Sequence, residues 1–210
     1  DNIQSMETNQ LRRICAERGI PSRNELILGL PGQTYESFAE TVVKAMPPYP
    51  HHDFVIFLCR LLWNTEMGSS GHREKHRLQT RRCLWRPRQG ERQVVDEYQE
   101  LVVATKDLPL EDWKRINRFC AIASAGYNQN LLRQVFRVMA GEYGIGLREL
   151  IEHMDRAIES AVGESAFREM NLVLNRYLDS ILEGGAYALT MDGMGDTNWE
   201  MDEAAALCIL

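Results

Sequence analysis

From Glu25 to Phe38 the chain reads ELILGLPGQTYESF. A short apolar run ends in Gly29-Leu30-Pro31-Gly32, and a helical spacing of apolar residues begins just after it. The run is too short for a helix and is bounded by turn residues, which is the pattern of a buried parallel strand. Thr34 is placed to cap the following helix, with Glu36 favourable to its dipole. Phe38, Val42 and Ala45 then recur on one face until Pro47-Pro48 stops the helix. Asp53–Cys59 (DFVIFLC) gives a second buried strand, rich in Val, Ile and Phe. Strand, helix and strand in this order imply a right-handed crossover and adjacent parallel strands.

Outward from this unit the pattern changes. Ser5–Arg18 has the spacing of a helix, which Gly19 and Pro21 end. From Leu61 to Gly90 regular periodicity fails, and glycines, serines and a proline predict a long polar loop. After it the chain reads as helical almost to residue 185, in segments Glu91–Lys106, Leu110–Ala140, Leu147–Ala161 and Glu164–Leu182. The acidic, glycine-containing end, MDGMGDTNWEMDEAAALCIL, predicts a mobile tail. The expected division is therefore an α/β part at 1–62, a basic irregular loop at 63–90, a helical region at 91–190 and a flexible tail at 191–210. Two parallel strands do not make a sheet that stands alone, so the α/β part reads as a piece of a larger one.

With 210 residues, 44% of them apolar, the chain can bury a core. No stretch approaches the roughly 20 apolar residues that cross a bilayer, and no signal pattern opens the sequence. Five scattered cysteines, at 15, 59, 83, 120 and 208, make neither a disulfide framework nor a Cys-x-x-Cys motif. These features predict a cytoplasmic protein with reduced thiols and no membrane partner. The net charge is −6, yet the residues from Glu149 onward hold 13 acids against Arg156, Arg168 and Arg176. The basic excess lies mostly between His72 and Arg92, where arginines alternate with Trp85.

In parallel α/β sheets ligands sit outside the carboxyl ends of the strands, which is where Leu30-Pro31-Gly32 falls. The N–H groups at the start of the Thr34 helix are able to face an anion, but GLPGQT lacks the lysine of a phosphate-binding loop. A purely structural corner is the plainer alternative.

The segment resembles the fifth strand of radical S-adenosylmethionine (SAM) enzymes, which often carry a LILGLPGET-like run there. FVIFLCRLLWNTEM, from Phe54 to Met67, is similar to the next strand and loop in the cobalamin-binding subset, and DEYQELVVATKDLPLEDWKRINRFC, from Asp96 to Cys120, resembles that subset's helical C-terminal region. The fold implied is the last strands and helices of a partial (β/α)6 barrel, followed by a mostly α-helical region. The cofactors implied are SAM, a [4Fe–4S] cluster and cobalamin; the activity is methyl transfer or another radical-based modification. Carried over by position, Ile27 matches the apolar residue that packs on the SAM adenine, and Gly29 matches the small residue that lets it approach. Gln33 stands where relatives often have an acid, and Trp63 where they often have proline. No Cys-x-x-x-Cys-x-x-Cys occurs, so the resemblance implies an inactive C-terminal piece whose partner is the N-terminal part of the same protein, with an unknown small-molecule or peptide substrate.

Other features compete for attention. The basic stretch at 72–92 is the alternative functional site, a binding surface for nucleic acid or an acidic partner; the acidic total and the lack of an RNA-binding motif weigh against nucleic acid. His51-His52 reads as a turn entering the second strand, since neighbours on a strand face opposite sides. His72 and His76 share a face only if their segment is helical. Glu111 and Asp112 suit a helix start.

Overall fold

The computed structural model describes residues 5–46, 52–86, 95–191 and 197–208. Helix α1 (Ser5–Glu17) leads into β1 (Ser22–Leu28), α2 (Tyr35–Lys44) and β2 (His52–Leu58). The two strands are parallel, in register from Ser22 opposite His52 to Leu28 opposite Leu58, as the order of elements predicts. Thr34 caps α2 with its hydroxyl on the Ser37 N–H (3.2 Å), and the Ser37 hydroxyl returns the favour to the Thr34 N–H (2.9 Å). His51 and Pro47-Pro48 lie outside the described residues.

The segment expected to be irregular is ordered. It holds a 3-10 turn at Glu66–Gly68, helix α3 (Ser70–His76) and strand β3 (Gln79–Trp85). Strand β4 (Glu97–Ala104) occupies what reads as the first C-terminal helix, and pairs antiparallel with β3. The reason lies in burial. Leu101, Val102, Val103 and Ala104 are all buried, so both faces of β4 are apolar and the alternation that marks a half-exposed strand is missing. In β3 the arginines hide the strand, because only Cys83 is fully buried.

The remaining elements among the described residues are helices: α4 (Leu110–Tyr127), α5 (Arg133–Gly141), α6 (Leu147–Glu159), α7 (Ala166–Leu182) and α8 (Met201–Leu207). What reads as one helix from 110 to 140 is two, since Asn130 takes a left-handed backbone (φ 59°) at the break. The tail is no free end over its described part. In α8, Met201 and Ala204–Ala206 are buried, and the helix packs on α4 and α7. The small alanines permit that close approach, and the Ser124 hydroxyl donates to Asp202 at 2.5 Å. The sheets are small and open, and no closed barrel forms among the described residues. Among the described residues no helix is long and apolar enough to cross a membrane.

Helix α4 is the axis of the core. One face of β1–β2, with Leu28 and Phe54, shares a buried cluster with Phe38 and Val42 of α2 and with Trp113, Ile116 and Phe119 of α4. Glu111 and Asp112 do lie in its first turn, paired with Lys114 and Arg115. On the far side Arg118 is 4% exposed and donates to Asp155 of α6 (2.9 Å) and to Asn171 and Asn175 of α7 (2.9 and 3.0 Å). Burial pushes the Asp155 carboxyl up, against the pull of Arg118. Arg118→Met therefore strands a carboxylate and two amides, and should cost about 3 kcal/mol in chemical denaturation.

His52 is 1% exposed. Its Nε2 lies 3.2 Å from the Ala45 carbonyl, which can only accept, so Nε2 carries the proton and Nδ1 accepts from Ser22 (2.8 Å). Burial, and then the Arg12 charge, hold its pKa below the ordinary 6.5. Below that value the unfolded chain takes up a proton that the folded chain refuses, so stability falls as pH drops. Denaturation midpoints between pH 7.5 and 5.5 should show this loss, and His52→Gln should flatten it.

Candidate functional site

The corner after β1 is built by backbone first. Gly29 (φ 107°) and Gly32 (φ 87°) both sit in the left-handed region that favours glycine. The Gln33 side chain then folds back over the turn. Its Oε1 accepts from the N–H groups of Gly29 (2.8 Å) and Leu30 (3.0 Å), and its Nε2 donates to the Ile27 carbonyl (2.8 Å). The Leu28 carbonyl accepts from Cys59 of the β2 side, so Ile27 points its backbone groups to the other edge of β1. Gln33 thus stands in for one residue of a further strand. An acid there would keep the two acceptor bonds but lose the donor one.

Gly29 is buried, and its missing side chain is accounted for within the chain. A Cβ would meet Cys59 Cβ and the Val102 carbonyl at 3.2 Å each. The Val102 N–H donates to the Cys59 carbonyl (2.9 Å) and the Leu61 N–H to the Glu100 carbonyl (2.7 Å). Strand β4 therefore takes up the edge of the β2 extension that β1 leaves when it turns. Gly29 marks the junction.

Ile27 is placed differently. It lies on the face of β1–β2 turned away from the core and is 45% exposed; Phe57, its register partner, is 42% exposed. With half-buried Val55 they form an open apolar surface next to the corner. The structure brings together Ile27, Phe57 and the Gln33-braced turn, and sets Gly29 behind them. Phe57 escapes a reading of motifs alone; the parallel register, which puts it beside Ile27, is the signal that finds it. The N–H groups of Thr34 and Ser37 are used by the helix cap.

The arginines of the basic stretch are largely spoken for. Arg73 makes a bidentate pair with Glu100 (2.7 and 2.9 Å), which also accepts from Thr80 (2.6 Å). Exposed Trp63 lies against the same guanidinium, 5.2 Å from its ring centre. Arg81 donates to the Leu182 carbonyl at the end of α7 (3.0 Å), Arg82 covers the Tyr98 ring, and Arg86 pairs with Asp96. Arg88 and Arg92 lie outside the described residues. The segment of His72 and His76 is helical, and their rings stack with centres 4.5 Å apart. Among the described residues no three His, Cys, Asp or Glu converge on a metal position.

Three of the five cysteines are closed off from solvent. Cys59, Cys83 and Cys120 are buried, and burial pushes Cys59 and Cys83 up to about 11 and Cys120 higher still.

No family model matches the chain. Over 152 residues it is 25% identical to a cobalamin-dependent radical SAM methyltransferase, TokK, of Streptomyces tokunonensis. The match takes in 72% of this chain but 22% of that protein, so the chain spans about a fifth of the relative's length. The similarity is distant, and it points the same way as the three segments that resemble the family.

Gln33→Ala should lower stability by about 2 kcal/mol, since two N–H groups and a carbonyl lose their partner. Gln33→Glu should lose less, and should recover as acid protonates the new carboxyl and restores a donor to Ile27. Denaturation at pH 7.5 and 4.5 separates the two variants.

Proposed function

We propose that this chain is the C-terminal part of a radical SAM enzyme of the cobalamin-dependent kind, acting by methyl transfer or a related radical-based modification. On this reading β1 and β2 are the last strands of a partial (β/α)6 barrel, and their open face looks into its interior. The observation that carries it is that open face: exposed Ile27 and Phe57 beside a braced strand-to-helix corner, at the carboxyl ends of parallel strands. The similarity to the methyltransferase supports it, as does the match of three segments in order.

In such enzymes reductive cleavage of cluster-bound SAM supplies a 5′-deoxyadenosyl radical. No Cys-x-x-x-Cys-x-x-Cys occurs in this sequence, so no step of that chemistry is assigned to it. Its own part is to bind and orient. Ile27 and Phe57 offer the adenine an apolar wall, and Gln33 fixes the turn so that the wall does not shift. Gly29 acts at one remove, by letting β4 close behind the wall. Cobalamin finds no assigned residue here; its role rests on the relative alone. The N-terminal part of the same protein would pair along the outer edge of β1. The competing use of the basic stretch as a binding surface is disfavoured by Arg73, Arg81, Arg82 and Arg86 being engaged within the chain.

The test is to join the chain to the polypeptide encoded directly upstream and reconstitute it with iron, sulfide, SAM and a reductant. 5′-Deoxyadenosine should form, and Ile27→Asp should weaken SAM binding roughly tenfold, about 1.4 kcal/mol, without moving the melting temperature. An upstream frame with no three-cysteine loop, or SAM binding indifferent to Ile27, overturns the proposal.

A further inference from the structure

A large cleft lies at the other end of the strands. It has a volume of about 1230 Å³, and Ser22, Arg23, His52 and Asp53, the first residues of β1 and β2, line one side. Helix α5 forms the opposite wall with Arg133, Phe136 and Arg137. Nothing in the proposed adenine surface involves these residues.

The charges in the cleft are unequal. Arg23 and Asp53 neutralise each other through a bidentate pair of 2.9 and 2.7 Å. Arg133 and Arg137 have no carboxylate partner among the described residues. They stand one turn apart on α5, a spacing at which like charges destabilise a helix unless something negative lies between them. Arg133 is also held in place. Its Nε donates to the Tyr127 carbonyl (3.0 Å), its Nη2 donates to the His52 carbonyl (2.9 Å), and its plane covers the Tyr127 ring at 4.2 Å. Both bonds are to neutral acceptors, and the carboxylate that feels the Arg133 charge, Asp53, is already paired with Arg23, so the guanidinium makes no ion pair of its own while the side chain is already ordered. A fixed, unpaired guanidinium loses little entropy on meeting an anion. Beside it Tyr127, Phe136, Met46 and Leu147 give the cleft an apolar side. A space of this size takes a small organic molecule rather than a bare ion.

We propose that this cleft binds a small amphipathic anion, with its carboxylate or phosphate head on Arg133 and Arg137 and its apolar body against Tyr127, Phe136 and Leu147. The site stands apart from the radical SAM reading and survives its failure.

Titration of the full chain with octanoate and with octyl phosphate, followed by calorimetry, tests it. One saturable site is expected, with a dissociation constant below about 1 mM. Tighter octanoate assigns a carboxylate head and tighter octyl phosphate a phosphate head; either order supports the proposal. Arg137→Met, at an exposed position, should weaken binding at least tenfold with an unchanged melt, and Arg137→Lys should weaken it less. Val162→Ser, at an exposed position between α6 and α7, should leave binding as it was. Equal binding of uncharged octanol, indifference to Arg137→Met, or no saturable binding overturns it.

Discussion

A pair of parallel strands has two raw edges, and every unpaired backbone group on them must find a partner or face water. The architecture follows from how this chain meets that demand. On the outer edge of β2, Asn128 accepts from the Phe54 N–H (3.2 Å) and donates to its carbonyl (2.6 Å), and Arg133 covers the His52 carbonyl. Where β1 turns away, β4 replaces it beside the β2 extension. Side chains therefore do at the margins what neighbouring strands do elsewhere. Asn128 lies just past the end of α4, so the clamp also fixes how the central helix meets the sheet. Because α4 in turn holds α2, α6 and α8, the sheet edge and the helical core are set by one joint.

Much of this was legible in order and kind. The strand-helix-strand unit, the Thr34 cap and the parallel pairing follow from local rules that tertiary contacts do not override. The β3–β4 pair was not, and the cause is specific. Leu101-Val102-Val103-Ala104 is apolar on both faces, and periodicity does not separate that from a buried helix turn. The packed end of the chain was hidden by its composition: Ala204-Ala205-Ala206 promises little burial until a matching helix is seen against it. Of the candidate site, Ile27 came from the family resemblance carried over by position, while Phe57 needed the register and the Gln33 clamp needed the turn geometry. Arg118 gives no local signal, since its partners lie 37 to 57 residues away.

The two ends of β1–β2 are chemically unlike. The carboxyl end presents an apolar wall with its backbone donors already engaged, which suits the face of a flat heterocycle better than a charged group. The amino end presents Arg133, held by two backbone carbonyls, with exposed Arg137 beside it and an apolar flank. One short sheet thus carries surfaces of opposite character about a strand's length apart, both resting on residues that also serve the fold.

The Gln33 brace has a further geometric effect. Among the described residues, the outer-edge groups of Arg23 and Glu25 on β1 meet no neighbouring strand, whereas the carbonyl of Ile27 and the amide of Gly29 are already satisfied. An added strand can run alongside the first part of β1 only, and must peel away before the corner. The glutamine acts as a ruler: it limits how far a neighbour advances, and so keeps the rim beside Ile27 clear of main chain.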